Sequence, residues 1–309
     1  MYDVVIIGLG PAGVAAAVYA GRKKLNTLII GKDIGGQSVV SHNIQNWIGI
    51  PSISGVQMAM QLDEHLETVK DNVKVDMGAI VEGVEKIERD GKTCFQVQTE
   101  NNKYETKTIL VASGSGRRKL GIPGERVYSG KGVFYCSICD APLMNDKNVA
   151  VIGGGNAGLE AILDLIPYAS KIYLMEVTDQ LRGDKTTQEK VGNSGKVNMM
   201  FKVSPVEIIG EQFVNGIKYE DIVSREIKEL AVDGIFIEIG STPNSSFMKG
   251  LVDINKFGEI EVDPLSGKTS QDGIWAAGDV TMLPYKQNNT AIGDAVRAIL
   301  NIYDHFIKG

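Results

Sequence analysis

Cysteine, histidine and tryptophan are scarce in this chain: its 309 residues hold three Cys, three His and two Trp. Three cysteines cannot staple a small secreted scaffold. No apolar run approaches the roughly 20 residues of a membrane span. The N-terminus opens straight into the strand-like Tyr2-Asp3-Val4-Val5-Ile6-Ile7, with no leader of the charged-then-apolar kind. There is no dense Lys/Arg block and the formal net charge is −6, which argues against nucleic acid or an anionic membrane as the main partner. Few cysteines and no export signal point to a reducing cytoplasm. Hydrophobic content of 43% and charged content of 23% are those of an ordinary soluble protein, and the length suits two domains. Glycine is what the chain has in quantity, 36 residues, clustered in short motifs rather than in a low-complexity run.

Two of the cysteines sit two residues apart in Cys136-Ser137-Ile138-Cys139-Asp140. At that spacing one thiol can attack and the other resolve, so the pair can cycle between dithiol and disulfide. A helix start near Cys139 would favour a thiolate through its free N–H groups. Asp140 stands where it could give or take the proton that thiol chemistry needs. A zinc half-site would want two more ligands. The rest of the chain offers only Cys94, His42, His65 and His305, none paired at ligand spacing. A purely structural disulfide is the other plain reading. What decides between them is the sequence on either side.

Residues 3–7 are apolar and β-branched, as in a strand buried on both faces of a parallel sheet. Gly8-Leu9-Gly10-Pro11-Ala12-Gly13 and an Ala-rich helix from Val14 to Ala20 follow. Such a Gly-x-Gly-x-x-Gly between strand and helix lets the backbone approach a pyrophosphate, whose charge the helix N-terminus favours. A single match can be no more than a turn, but the pattern recurs. Val149-Ala150-Val151-Ile152 leads into Gly153-Gly154-Gly155-Asn156-Ala157-Gly158 and a helix from Leu159 to Leu165. Two such units mean two nucleotide-binding domains, and two nucleotides to pass electrons between. The strand Lys171–Glu176 then ends in an acid where a carboxylate would bond an adenosine ribose hydroxyl and repel a 2′-phosphate; a solvated strand-end Glu is the plainer alternative.

Between these landmarks, Thr27–Ile30 reads as a strand, 55–70 as an amphipathic helix and 73–99 as short strands, with Cys94 a buried thiol. Thr108–Ala112 is a further buried strand, and Arg117-Arg118-Lys119 with Pro123-Gly124 reads as an exposed connector. Residues 200–240 read as strands, and Thr242-Pro243-Asn244 as a second connector. A strand ending in Gly278-Asp279 and a last helix after Pro284-Tyr285-Lys286-Gln287 close the chain. The expected fold class is α/β: two Rossmann-like, three-layer ββα dinucleotide-binding domains. The first comprises 1–115 and 245–309, and the second, 116–244, is inserted in it.

Taken together, Gly8 to Gly13, Gly35-Gly36-Gln37, Asn46-Trp47, Cys136 to Asp140, Gly153 to Gly158, Gly278-Asp279 and Tyr285-Lys286-Gln287 resemble the low-molecular-weight thioredoxin reductase family over almost the whole chain. The resemblance implies FAD on the first unit, with Gly8, Gly10, Pro11, Ala12 and Gly13 at its pyrophosphate. Gly35, Gly36, Gln37, Asn46, Gly114, Gly278, Asp279, Lys286, Gln287 and Ala291 would lie against the rest of it. It implies NADH on the second unit at Gly153, Gly155, Asn156, Ala157, Gly158, Glu176 and Arg182. It further implies that Cys139 faces the flavin, Cys136 exchanges with a thioredoxin- or glutaredoxin-like protein, and Asp140 donates the proton. A homodimer and a rotation of the inserted domain belong to the same expectation.

One departure bears on the donor. Relatives that use NADPH carry His-Arg-Arg-x-x-x-Arg where this chain has Glu176-Val177-Thr178-Asp179-Gln180-Leu181-Arg182. Without those arginines a 2′-phosphate loses its charge-assisted partners, so NADH is expected over NADPH. This segment is similar to that of the NADH-using flavoprotein component of alkyl hydroperoxide reductase. That protein's N-terminal thioredoxin-like extension has no counterpart in the sequence, so a separate small redox protein is expected in its place. Two alternatives stand beside this reading. One is the same disulfide reductase fed by reduced ferredoxin, since some relatives without the arginines use neither nicotinamide well. The other is a non-catalytic FAD/disulfide redox sensor.

Overall fold

The computed structural model describes residues 1–41 and 44–308; His42, weighed above as a metal ligand, lies outside them. The chain divides into two compact units, Met1–Gly116 with Thr242–Gly309, and Arg117–Ser241.

In the first unit the strand Tyr2–Ile7 lies at the centre of a sheet, parallel to Thr27–Gly31 on one side and Lys103–Val111 on the other. The sheet runs Val73–Met77, Thr27–Gly31, Tyr2–Ile7, Lys103–Val111, Lys92–Thr99, Val81–Arg89, with Ile274–Ala276 also parallel to Lys103–Val111. Successive side chains of the central strand serve opposite faces. Val4 and Ile6 pack with the helices Pro11–Arg22, Gly55–Glu67 and Asn288–Lys308. Val5 and Ile7 pack with Phe95, Met248, Val252 and Ile260 on the far side. Cys94 is buried.

In the second unit all five strands of the main sheet run parallel, in the order Val197–Phe201, Lys171–Glu176, Asn148–Ile152, Gly234–Ile237, Val133–Phe134. Val149 and Val151 face the helix Asn156–Leu165. Ala150 and Ile152 face an antiparallel layer of Val203–Gly210, Val214–Asp221 and Ile227–Leu230. Sheet, sheet and helix are thus three layers, and the α/β class with dinucleotide-binding topology expected from the sequence is what the structure has.

Several elements differ in extent from expectation, for local reasons. The first helix begins at Pro11 rather than Val14, because proline at the first helical position gives up an N–H that would have no partner there. The second begins at Asn156 rather than Leu159. The helix expected at 55–70 stops at Glu67 and is opened by a capping box, in which the Ser54 hydroxyl accepts from the Gln57 N–H while the Gln57 side chain accepts from the Ser54 N–H. The connector residues Arg118 and Lys119 are exposed, but Gly124 is packed: an added Cβ would lie 2.0 Å from the Ile208 carbonyl oxygen.

Candidate active site

The first glycine turn is built for close backbone approach. Gly8 has φ +121°, and a Cβ there would lie 2.2 Å from the Ala112 carbonyl oxygen. At Gly13 a Cβ would lie 1.8 Å from the Gly8 oxygen, so the missing side chain lets helix and turn touch. Above the turn lies a cleft of about 690 Å³, lined by Gly8, Gly10, Pro11, Ala12, Gly36, Gln37, Gly114, Asp279 and Ala291 among the expected residues. Its size and its open glycine floor fit a dinucleotide.

Other expected residues stand behind the lining. Gly35 caps the short turn Gly36–Val40 in left-handed conformation. Gly278, also left-handed, packs close to Ala12 and Ala291. Asn46 donates its side-chain N–H to the Gln287 side-chain oxygen at 3.0 Å, across a separation of 241 residues. Lys286 is held away: its ammonium pairs with Glu259 at 3.3 Å and donates to the Thr281 carbonyl. Sequence reasoning missed Lys32, Asp33, Ser38 and Asn288, all of which line the cleft. For Lys32 and Asp33 there was a signal. They follow the second strand of their unit, where the strand-end rule applied to Glu176 would have found them.

The second turn repeats the first. Gly153 has φ +116°, with a Cβ position 2.5 Å from the Glu238 carbonyl oxygen, and a Cβ on Gly158 would lie 1.8 Å from the Gly153 oxygen. Gly155 caps the helix, whose first residues are Asn156 and Ala157; the Asn156 side chain accepts from the Asp184 N–H at 2.8 Å. Glu176 is only 2% exposed. It accepts from the Gly154 N–H at 2.7 Å and from both the N–H and the hydroxyl of Thr178 at 3.0 Å. Burial alone would raise its carboxyl, but the N–H groups of Thr178 and Gly154 and the charge of Arg182 hold it below the usual range. Arg182 lies 3.6 Å from the same carboxylate.

Cys136 and Cys139 form a disulfide with Cα atoms 5.3 Å apart. The helical turn here begins at Ser137, two residues before Cys139, so a helix start near Cys139 is what the structure has; Cys136 is the capping residue and Cys139 lies within the turn. Both flanks are anchored. Tyr135 donates its hydroxyl to Glu125 at 2.7 Å, and Glu125 accepts from the N–H groups of Leu120 and Gly121. The Ser137 hydroxyl donates to Asp164 at 2.8 Å. Between the cysteines, Ile138 is 56% exposed. Burial pushes the Asp140 carboxyl up to about 7.

The family model described as pyridine nucleotide-disulphide oxidoreductase matches residues 2–299. The F component of alkyl hydroperoxide reductase from Pseudomonas putida is 38% identical over 309 residues, covering 99% of this chain and 58% of that protein. The chain therefore spans less than two thirds of the length of this relative. Among solved structures, thioredoxin reductase from Streptococcus pyogenes is 34% identical with a TM-score of 0.92, over 100% of this chain and 99% of that one. Thioredoxin reductase from Giardia duodenalis is 25% identical with a TM-score of 0.91, over 100% and 99%.

Proposed function

This chain belongs to the pyridine nucleotide-disulphide oxidoreductase family, and from that premise we propose that it passes electrons from NADH through FAD and Cys136–Cys139 to the disulfide of a thioredoxin- or glutaredoxin-like protein. The observation that carries this reading is the disulfide with the half-buried Asp140 carboxyl next to it in the chain, in a unit that has its own dinucleotide turn. We also propose that it works as a homodimer in a cytoplasm; among the described residues no helix is long and apolar enough to cross a membrane.

FAD would be held by Gly8 to Gly13 and the cleft above them, and NADH by Gly153 to Gly158 with Glu176. When bound, these groups supply a hydride and a carrier that can hand two electrons to a disulfide. The rest falls to the protein. Taking two electrons breaks the Cys136–Cys139 bond and leaves two thiolates, one of which, on Cys139, takes up a proton. Cys136 as thiolate then attacks the partner's disulfide, forming a mixed disulfide and releasing one partner thiolate. Cys139 displaces the second partner sulfur and closes the Cys136–Cys139 bond again. Asp140 gives the proton in the first half and takes it back in the second.

The NADH preference is supported by what surrounds Glu176. A 2′-phosphate there would meet a buried carboxylate, and the one nearby arginine is already beside that carboxylate. The test is a pair of anaerobic titrations of the oxidised protein, one with NADH and one with NADPH, read by flavin absorbance. Bleaching at concentrations at least about tenfold lower for NADH is expected, which is a difference of about 1.4 kcal/mol. A clear preference for NADPH would mean that Glu176 does not set the choice. Slow bleaching by both would point to a donor such as reduced ferredoxin, and no turnover with any disulfide protein to a redox sensor.

The pH dependence follows from Asp140. Below about pH 7 its carboxyl holds a proton to give, and above it does not. The rate at which the reduced pair forms should therefore fall as pH rises through about 7. Asp140→Asn should remove that limb and slow the step by roughly a hundredfold, measured by stopped-flow at a series of pH values. The same shift makes the folded protein keep a proton that the unfolded chain releases near pH ~4. Asp140's contribution to stability is accordingly present at low pH and lost as pH rises through about 7.

A further inference from the structure

The second unit carries a carboxyl that neither the glycine turn nor the disulfide uses. Ile152 pairs in register with Met175 on one side and with Ile237 on the other. One residue further on, Glu176, Gly153 and Glu238 stand side by side at the carboxyl edge of the sheet. The Gly153 N–H donates to the Met175 carbonyl at 3.0 Å and the Glu238 N–H to the Ile152 carbonyl at 2.9 Å. With strands about 4.8 Å apart, the two acids flank the turn. The strand order also reverses here. From Asn148–Ile152 the chain goes outward to Lys171–Glu176 and Val197–Phe201, then returns to Gly234–Ile237 on the opposite side. A dinucleotide lies across the strand ends at such a switch point, with its pyrophosphate at the turn. With the adenosine half over Glu176, the other half extends over Glu238.

The two carboxyls are in opposite conditions. Glu176 is satisfied by three protein donors. Glu238 is 8% exposed, and among the described residues none donates a hydrogen bond to it. Burial pushes its carboxyl up to about 7; Arg117 opposes the shift, and Asp164 and Glu160 on the neighbouring helix add to it. Among the described residues no sealed side-chain polar atom lacks a partner, so the Glu238 oxygens are open to solvent. Water can donate to these oxygens in the free protein, and a ligand that displaces that water must bring a donor of its own or leave a buried acceptor unpaired, which is costly. A pyrophosphate brings no donor and would be repelled. Among the described residues there is no group of three His, Cys, Asp or Glu placed to hold a metal ion. Nicotinamide riboside brings both ribose hydroxyls and a carboxamide N–H.

We propose that Glu238 is a recognition residue for the nicotinamide riboside half of the dinucleotide, its carboxyl accepting a hydrogen bond from that half. This rests on the reading of the second unit as the NADH site. The test is calorimetric titration of the oxidised, FAD-loaded protein with NAD⁺ and with ADP, which shares the adenosine and pyrophosphate but lacks the nicotinamide riboside. Glu238→Ala should weaken NAD⁺ about tenfold and leave ADP within about twofold. Glu238→Gln keeps an acceptor and should fall between. Unchanged NAD⁺ affinity in Glu238→Ala overturns the proposal. So does equal weakening of NAD⁺ and ADP, which would make Glu238 a support of the Gly153 turn. Were the wild-type protein to bind neither ligand, the NADH-site reading would fall and this one with it.

Discussion

Cys136→Ser and Cys139→Ser each lose reduction of a protein disulfide by a factor on the order of a thousand or more. The two sulfurs work as one unit. Their Cα atoms stand 5.3 Å apart, within the range a disulfide spans, so each thiol can reach the other without backbone movement. With Cys139 gone, Cys136 has nothing to resolve its mixed disulfide. With Cys136 gone, no thiolate is left to attack the partner. NADH-driven reduction of an artificial dye needs neither sulfur and should survive in both variants. Measuring the two activities side by side separates lost sulfur chemistry from lost folding. Protein-disulfide turnover within tenfold of wild type in either variant would remove the pair from the reaction.

Gly158→Ala should disable the second unit and Gly13→Ala the first. In each case the new Cβ would lie 1.8 Å from the carbonyl oxygen of the first glycine of its own turn. That oxygen is backbone, so relief requires the helix to move off the strand. Overpacking of this kind costs about 1–3 kcal/mol. The helix Asn156–Leu165 has little freedom to shift, because Leu159, Ala161, Ile162 and Leu165 are fully buried. Gly158→Ala is expected to keep its yellow colour and lose NAD⁺ binding by more than about tenfold. Gly13→Ala is expected to lose flavin on desalting. Flavin absorbance, NAD⁺ calorimetry and thermal unfolding of both variants report the two losses independently. Full flavin in Gly13→Ala together with full NAD⁺ affinity in Gly158→Ala would mean that these turns hold no dinucleotide.

The elements that could be read from the sequence are those whose cause is local. A glycine with φ near +120°, a buried strand before it and a small-residue helix after it are set by neighbours in the chain, so both turns could be found by pattern. The same holds for the Cys136–Cys139 spacing and for Glu176 at its strand end. The start of the turn near Cys139 was legible as well, though its first residue, Ser137, was not, since no capping side chain marks it. The linked pair Asn46 and Gln287 could be named from a resemblance, but their hydrogen bond joins residues 241 apart.

What tertiary structure alone decided is which polar groups are satisfied and which are left waiting. Glu176 and Glu238 are both glutamates at the ends of parallel strands, one on either side of Asn148–Ile152. One is fixed by Gly154 and Thr178; the other has only the distant charge of Arg117 against two like charges. Asp140 owes its raised pKa to burial that no residue beside it in the chain announces. Local sequence determined the two turns and the redox pair, because backbone geometry and spacing are short-range properties. Desolvation and hydrogen-bond partnership depend on what the rest of the fold brings alongside, and so they emerge only once the strands are in register.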